Sequence, residues 1–329
     1  MNGSHWTITA ALMGLLALAG DPAGTPAATV LLAHSPVALQ KDSIPDPGLE
    51  ALKVYISADL EGVSGGVSRM QFGSDGQEWE RFRRIMTEEV NAAAGAAFAA
   101  GATEVVVSDS HGTGHNLVVE DLHPDVELIR SWPRRLIMME GIDETFDAAI
   151  FIGYHASEGT PEAIAAHTMS GGQIFDLRIN GISVPEGGFN AAIAGHFGVP
   201  VVMVSGDQNA AGELRELVGD VEEAVVKVAL GNRAARTMHP SRSNAIIAES
   251  TTAALNRLGD FQPYTPWEDS GSRAGAVTLE IVFKSETDAE ILSYLAEVER
   301  VDGSTIRYEA DSILDASGFL AVTIHHNRF

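Results

Sequence analysis

The segment TEVVVSDSHG, residues 103–112, runs three valines together and then passes straight into Ser108, Asp109, Ser110 and His111. A half-buried strand alternates apolar and polar residues, whereas an unbroken apolar run fits a strand covered on both faces, as in a mostly parallel sheet flanked by helices. The polar residues that end the run then lie at the carboxyl end of that strand, where open α/β sheets form their ligand sites.

Upstream, SDGQEWERFRRIMTEEVNAAAGAAFAAG (residues 74–101) places Trp79, Phe82, Met86, Val90, Ala93 and Ala97 at helical spacing, with Ser74 as expected N-cap, Gln77 three residues on, and Gly101 as the stop. Before it, ISADLEGVSGG (residues 56–66) reads as a short strand that ends in Asp59 and Glu61 and then a glycine turn. Strand, helix and strand recur downstream. DAAIFIGYH (147–155), VPVVMVSGD (199–207) with a helix over 209–217, and EEAVVKVAL (222–230) continue the alternation expected of an α/β fold with right-handed crossovers. QIFDLRINGISVPEGG (173–188) reads as a hairpin turning at Asn180-Gly181, an antiparallel addition.

Beyond His239-Pro240 the character changes to a helix over 243–258, a proline-rich loop, the strand AVTLEIVF (276–283), the helix ETDAEILSYLAEVE (286–299), the strand STIRYEA (304–310) and a last helix. The expected organisation is therefore an α/β domain over 52–240, mostly parallel sheet with flanking helices, followed by a smaller C-terminal α+β domain over 241–329. Ahead of both, residues 6–20 form an apolar run too short to span a bilayer and ending in the cleavage-like Ala17-Leu18-Ala19, so residues 1–19 are read as a signal for export. No Lys or Arg precedes that run. Residues 20–51, rich in Pro and Ala, are read as a linker.

Composition narrows the chemistry. The 329-residue chain carries a net charge of -24, which disfavours broad electrostatic binding to nucleic acid or anionic membrane. Small molecules or protein partners fit better. It has no cysteine, so disulfides, thiolate nucleophiles and iron–sulfur ligation are excluded and any metal must use His, Asp and Glu.

Those residue types gather at the strand ends. Asp59 and Glu61 follow the first strand, Asp109 and His111 the second, His155 the third and Asp207 the fourth. Imidazoles and carboxylates are the ligands of zinc, and paired metals share a bridging carboxylate. Two residues apart on extended chain, Asp59 and Glu61 would face one way. Other roles compete: Asp207, ahead of QNAAGEL, reads better as a helix N-cap, and Asp109 could equally accept from amides of its own loop. His111 and His115 stand four apart, but the intervening GTG speaks for a loop rather than a helix. His123, His196 and His239 suit turns or helix ends, and His325 and His326 in the polar tail receive no role.

In order and spacing, SADLEGVSG, SDSHG, FIGYHA, AHTMSG and PEGGFNAAIAG resemble the D-aminopeptidase (M55) family of dinuclear zinc peptidases, over residues 53 to about 240 and more loosely beyond. The resemblance implies two zinc ions held by Asp59, Glu61, His111, His155 and Glu186, with His167 of AHTM as a catalytic residue that is not a ligand. Glu186 and His167 come from the resemblance; the other four also come from the strand ends. It further implies hydrolysis of short peptides with an N-terminal D-residue such as D-Ala, through metal-activated water and His167, and a homo-oligomer, by family precedent a ring-like decamer. The rival expectations are a two-metal hydrolase of L-peptides, other amides or phosphoesters, and an exported solute-binding protein.

Overall fold

The computed structural model describes residues 51–268 and 275–325. The expected signal segment, nearly all of the expected linker, and His326 lie outside the described residues.

Strand β1 (Leu52–Ala58) leads through a one-turn helix α1 (Arg69–Phe72) into the long helix α2 (Trp79–Ala99), then β2 (Ala102–Asp109), β3 (Val126–Ile129) and β4 (Ala148–Tyr154). A hairpin of β5 (Ile174–Ile179) and β6 (Ile182–Ser183) precedes α3 (Glu186–His196), β7 (Val201–Asp207), α4 (Gln208–Val218), β8 (Glu222–Gly231), β9 (Ala234–Thr237) and α5 (Pro240–Asn256). The remainder is β10 (Val277–Phe283), α6 (Glu286–Leu292), β11 (Val298–Arg300), β12 (Thr305–Ala310) and α7 (Ile313–His325).

The expected α/β class holds. Seven strands form one sheet in the order β3-β2-β1-β4-β7-β8-β9, parallel except for β9. Every residue of β4 and β7 is buried, which is why their sequences read as continuous apolar runs. One face packs against α2 and α5: Val54, Ile56 and Ala58 of β1 meet the stripe Phe82, Met86, Val90, Ala93 and Ala97 of α2, with Ile247 and Ala254 from α5. The other face, through Tyr55, Phe151 and Tyr154, packs on Phe189 of α3.

The second sheet, β11-β12-β10-β5-β6, is antiparallel throughout. Here β10 alternates buried and partly exposed residues along VTLEIVF, the signature of a sheet covered on one face, and Leu279, Ile281 and Phe283 join a core with Ala316 and Leu320 of α7. The hairpin turns at Asn180-Gly181 as expected, both in left-handed conformation. It extends this sheet rather than the parallel one, since β5 pairs with β10. Helix α5, although it follows residue 240, packs on α2 and the parallel sheet.

Two expected helix limits are corrected. The capping box forms at Ser68 and Gln71 on α1, not at Ser74 and Gln77, because residues 73–78 fold back so that Glu78 N–H donates to the Met70 carbonyl at 3.0 Å. There a Cβ on Gly76 would stand 2.4 Å from that carbonyl. The helix expected over 286–299 stops at Leu292, because Val298–Arg300 pairs with β12 and Val298 enters the core.

Candidate metal centre

Both neighbours of β1 in the sheet, β2 and β4, are parallel to it, and the chain order reverses direction there. That is the topological switch point, and a crevice opens outside the strand ends. Asp59 leaves β1 into it, His111 leaves β2, and His155 leaves β4. Glu186 arrives as the first residue of α3, and His167 on the loop between β4 and β5. Glu61 lies in a turn rather than on extended chain as expected.

Glycines let the two strand ends meet at backbone contact. Gly62 N–H donates to Gly153 O at 2.7 Å, and a Cβ on Gly62 would lie 2.1 Å from Tyr154 O. Gly153, at φ +70°, faces Asp59 O equally closely. Gly62→Ala is therefore expected to destabilise the fold by about 1–3 kcal/mol and to reduce metal content with it, because Glu61 precedes the displaced residue. Thermal unfolding and metal analysis of the variant check both.

The five expected ligands and His167 do come together. Two groups of three, Asp59 with Glu61 and His111, and His155 with His167 and Glu186, each hold donor atoms within 4.8 Å of one another. His111 Nδ1 stands 3.1 Å from Asp59 Oδ1 and 2.8 Å from Glu61 Oε2. His155 Nε2 stands 3.4 Å from Asp59 Oδ2 and 3.3 Å from Glu186 Oε1, and His167 Nε2 is 3.4 Å from the same Glu186 oxygen. Asp59 thus turns one oxygen to each group. The rings of His155 and His167 stack, with centroids 4.0 Å apart.

Backbone carbonyls set the imidazoles. His111 Nε2–H donates to Phe72 O, His155 Nδ1–H to Ala156 O and His167 Nδ1–H to Ala165 O, each at 2.9 Å. The opposite nitrogen of each ring is left facing the carboxylates, the arrangement that orients metal-binding histidines.

The donor set fits a pair of divalent cations. Asp59 Oδ2, Glu61 Oε2 and His155 Nε2 are buried with no hydrogen bond among the described residues, Glu61 Oε2 facing His111 and Asp59 Oδ2 facing His155 across the two donor groups. Buried polar atoms in that state are costly unless something completes them. The proton balance agrees. Without metal, burial and the neighbouring Glu61 push Asp59 up to about 7. Burial works against charge on His111 and His155, but Glu61 holds His111 well above the ordinary imidazole range and Glu186 lifts His155 to about 10. Burial would raise Glu61 and Glu186, but His111 and His155 respectively hold them low. Three buried carboxylates therefore draw in positive charge as protons, which a bound cation would displace. His167 differs: burial and the His155 charge push it below the ordinary range, which leaves it neutral at pH 7.

The remaining strand-end residues have positioning roles. Asp109 accepts from Asn116 N–H at 2.6 Å and Leu117 N–H at 2.8 Å, so it anchors the loop that carries His111, and Asn116 Nδ2 donates to His111 O. Asp207 caps α4 through Asn209 and Ala210 N–H, as read from the sequence, and its other oxygen accepts from Ile164 N–H on the His167 loop. His115 is not drawn in: its Nδ1 meets Thr113 O on the loop. His239 is the N-cap of α5 and His196 ends α3, as expected.

The carboxylates and His111 line a small cavity of about 160 Å³ whose apolar wall is Trp132, Met138, Met169 and Ile324. His325 also lines it, buried and 5.5 Å from the Trp132 ring, although the sequence reading left it without a role. No Lys or Arg is among the described residues lining this cavity. Glu61, His111 and His167 also border a larger open cleft of about 450 Å³ edged by Arg69 and Arg233. Arg178, near in sequence, instead pairs with Asp176 on β5.

Comparison with known proteins gives one consistent result. Residues 52–322 match the peptidase M55 family, described as D-aminopeptidase. The chain is 38% identical over 269 residues to a D-aminopeptidase of Bacillus subtilis (strain 168), covering 80% of this chain and 94% of that one. It is also similar, with a TM-score of 0.79 and 36% identity over 84% of this chain and 99% of the other, to a solved structure described as the Zn-dependent D-aminopeptidase DppA from Bacillus subtilis, a self-compartmentalizing protease.

Proposed function

This chain belongs to the peptidase M55 family of D-aminopeptidases, and on that footing we propose that it is a zinc-dependent aminopeptidase acting on short peptides with an N-terminal D-residue. The observation that carries the reading is Asp59, whose two oxygens face His111 and His155 as a carboxylate shared by two metals would. Asp59, Glu61 and His111 would hold one ion and Asp59, His155 and Glu186 the other. Bound zinc supplies Lewis acidity toward the scissile carbonyl and a water acidic enough to attack at neutral pH.

The chain's own groups do the rest. His167, 21% exposed at its side chain, presents Nε2 to the cavity, where it would take up the proton released by the attacking water and deliver it to the departing amine. Trp132, Met138 and Ile324 give this cavity of about 160 Å³ an apolar wall against which a small side chain would pack. Among the described residues no Lys or Arg lines this cavity, while Arg69 and Arg233 edge the cleft beside it, so phosphoester hydrolysis is the rival reading that an assay separates. Solute binding alone gives no reason for such convergent ligands.

By analogy with the relative described as self-compartmentalizing, the protein assembles as a homo-oligomer, with a decamer as the proposed form. Export is proposed on the apolar segment at residues 6–20. The activity is tested on paired D-Ala and L-Ala dipeptides beside an aryl phosphate. Cleavage of the D-dipeptide in preference to the others is expected. Turnover of the phosphate alone would overturn the reading.

A further inference from the structure

Lys227, in the middle of β8, has no solvent exposure at all. Its Nζ donates to three backbone carbonyls of the loop between β1 and α1: those of Glu61, of Val63 at 3.0 Å and of Gly66 at 2.8 Å. An ammonium has three donors, and all three are used. The Phe72 ring lies 5.8 Å from the same nitrogen. Other elements hold the loop's amides: Ser64 N–H donates to Glu89 Oε1 of α2 at 3.0 Å, and Gly65 N–H to Thr237 Oγ1 of β9 at 2.7 Å.

This loop bears Glu61 at one end. The helix α1 that follows it ends at Phe72, whose carbonyl accepts from His111 Nε2. Asp59 and Glu61 therefore sit on this loop and His111 bonds to the helix that follows it, and Lys227 grips the loop at its centre. A buried ammonium is costly unless it is fully bonded, and an apolar residue in its place would strand three carbonyls. Among the described residues its hydrogen-bond acceptors are the three loop carbonyls; Asp207, beside it in the sheet, and Glu89 act on it only through their charge.

We propose that Lys227 is a positioning residue of the metal centre: by binding three carbonyls of the 61–66 loop it fixes Glu61 and His111, and so sets the affinity of that half of the site for its ion. The proposal rests on the two-metal reading above. The His155 and Glu186 half is carried on β4 and α3 and makes no contact with Lys227; it meets the gripped loop through Asp59 and through the backbone bond from Gly62 N–H to Gly153 O.

The test is zinc binding by the full chain against a competing chelator, with cobalt as a spectroscopic probe, in wild type and Lys227→Met. The wild type is expected to bind two ions. The variant is expected to bind one with unchanged affinity and the other about 10–100-fold more weakly, the usual effect of losing a group that orients a ligand, with an altered cobalt spectrum for that ion alone. If Lys227→Met does not fold, Lys227→Gln, whose neutral amide cannot reach all three carbonyls, carries the same expectation. Two ions bound with wild-type affinity, or both weakened equally in step with thermal stability, would overturn the proposal and leave Lys227 as a loop staple. A wild type that binds fewer than two ions would instead defeat the two-metal reading, and this proposal with it.

Discussion

His167→Ala lowers kcat by about 10²–10⁴-fold, the usual contribution of a positioned general acid or base, while the protein retains two zinc ions. Its geometry allows two roles. Nε2 lies 3.4 Å from Glu186 Oε1 and within ligand reach of the group it forms with His155, so it could occupy a coordination position. Asp59 Oδ2 also faces His155 at 3.4 Å, so the proposed ligands of that half are Asp59, His155 and Glu186, with His167 proposed for proton transfer. Its ring stacks on His155, and burial pushes its pKa below the ordinary imidazole range. Metal analysis beside steady-state kinetics separates the two. Zinc that falls to one ion per chain in the variant would make His167 a ligand.

Asp59→Asn has the larger expected effect on the centre itself. An amide offers one oxygen where the carboxylate offers two, and it removes the charge that faces both His111 and His155. Zinc content is expected to fall from two ions to one or none, and kcat/KM by about 10³-fold or more, the scale at which loss of a single preorganised electrostatic group is felt. The fold should persist, because Asp59 is capped locally by Leu60 N–H and its backbone remains bonded to Ile152 O. Two ions bound with near-normal activity would mean that Asp59 does not link the halves.

What could be read from the residues follows from how far each signal reaches along the chain. Buried parallel strands announce themselves locally, as VVV before Asp109 and AAIFIGY before His155 do, and the rule that sites form beyond their carboxyl ends then selects Asp59, Glu61, His111 and His155. Glu186 and His167 carry no such signal. One opens a helix after a two-residue strand and the other sits in a loop, and only the folded chain brings them to the switch point. The resemblance supplied them.

Asp207 was legible as a cap because capping is local, whereas its grip on the His167 loop through Ile164 is not. Lys227, within AVVKVAL, reads as the polar member of a half-exposed strand. Its burial depends on a loop 160 residues earlier in the chain. The helix expected to run to residue 299 fails for a related reason: helical spacing continues past Leu292, but pairing with β12 claims the last residues.

The central claim, that two zinc ions at this site drive peptide hydrolysis, is met most directly by adding zinc back to metal-stripped protein while D-Ala dipeptide cleavage is followed. No cleavage is expected without metal, and recovery is expected to saturate at two equivalents per chain. Cleavage that persists after complete metal removal, or two bound zinc ions with no cleavage of the dipeptide, would contradict it.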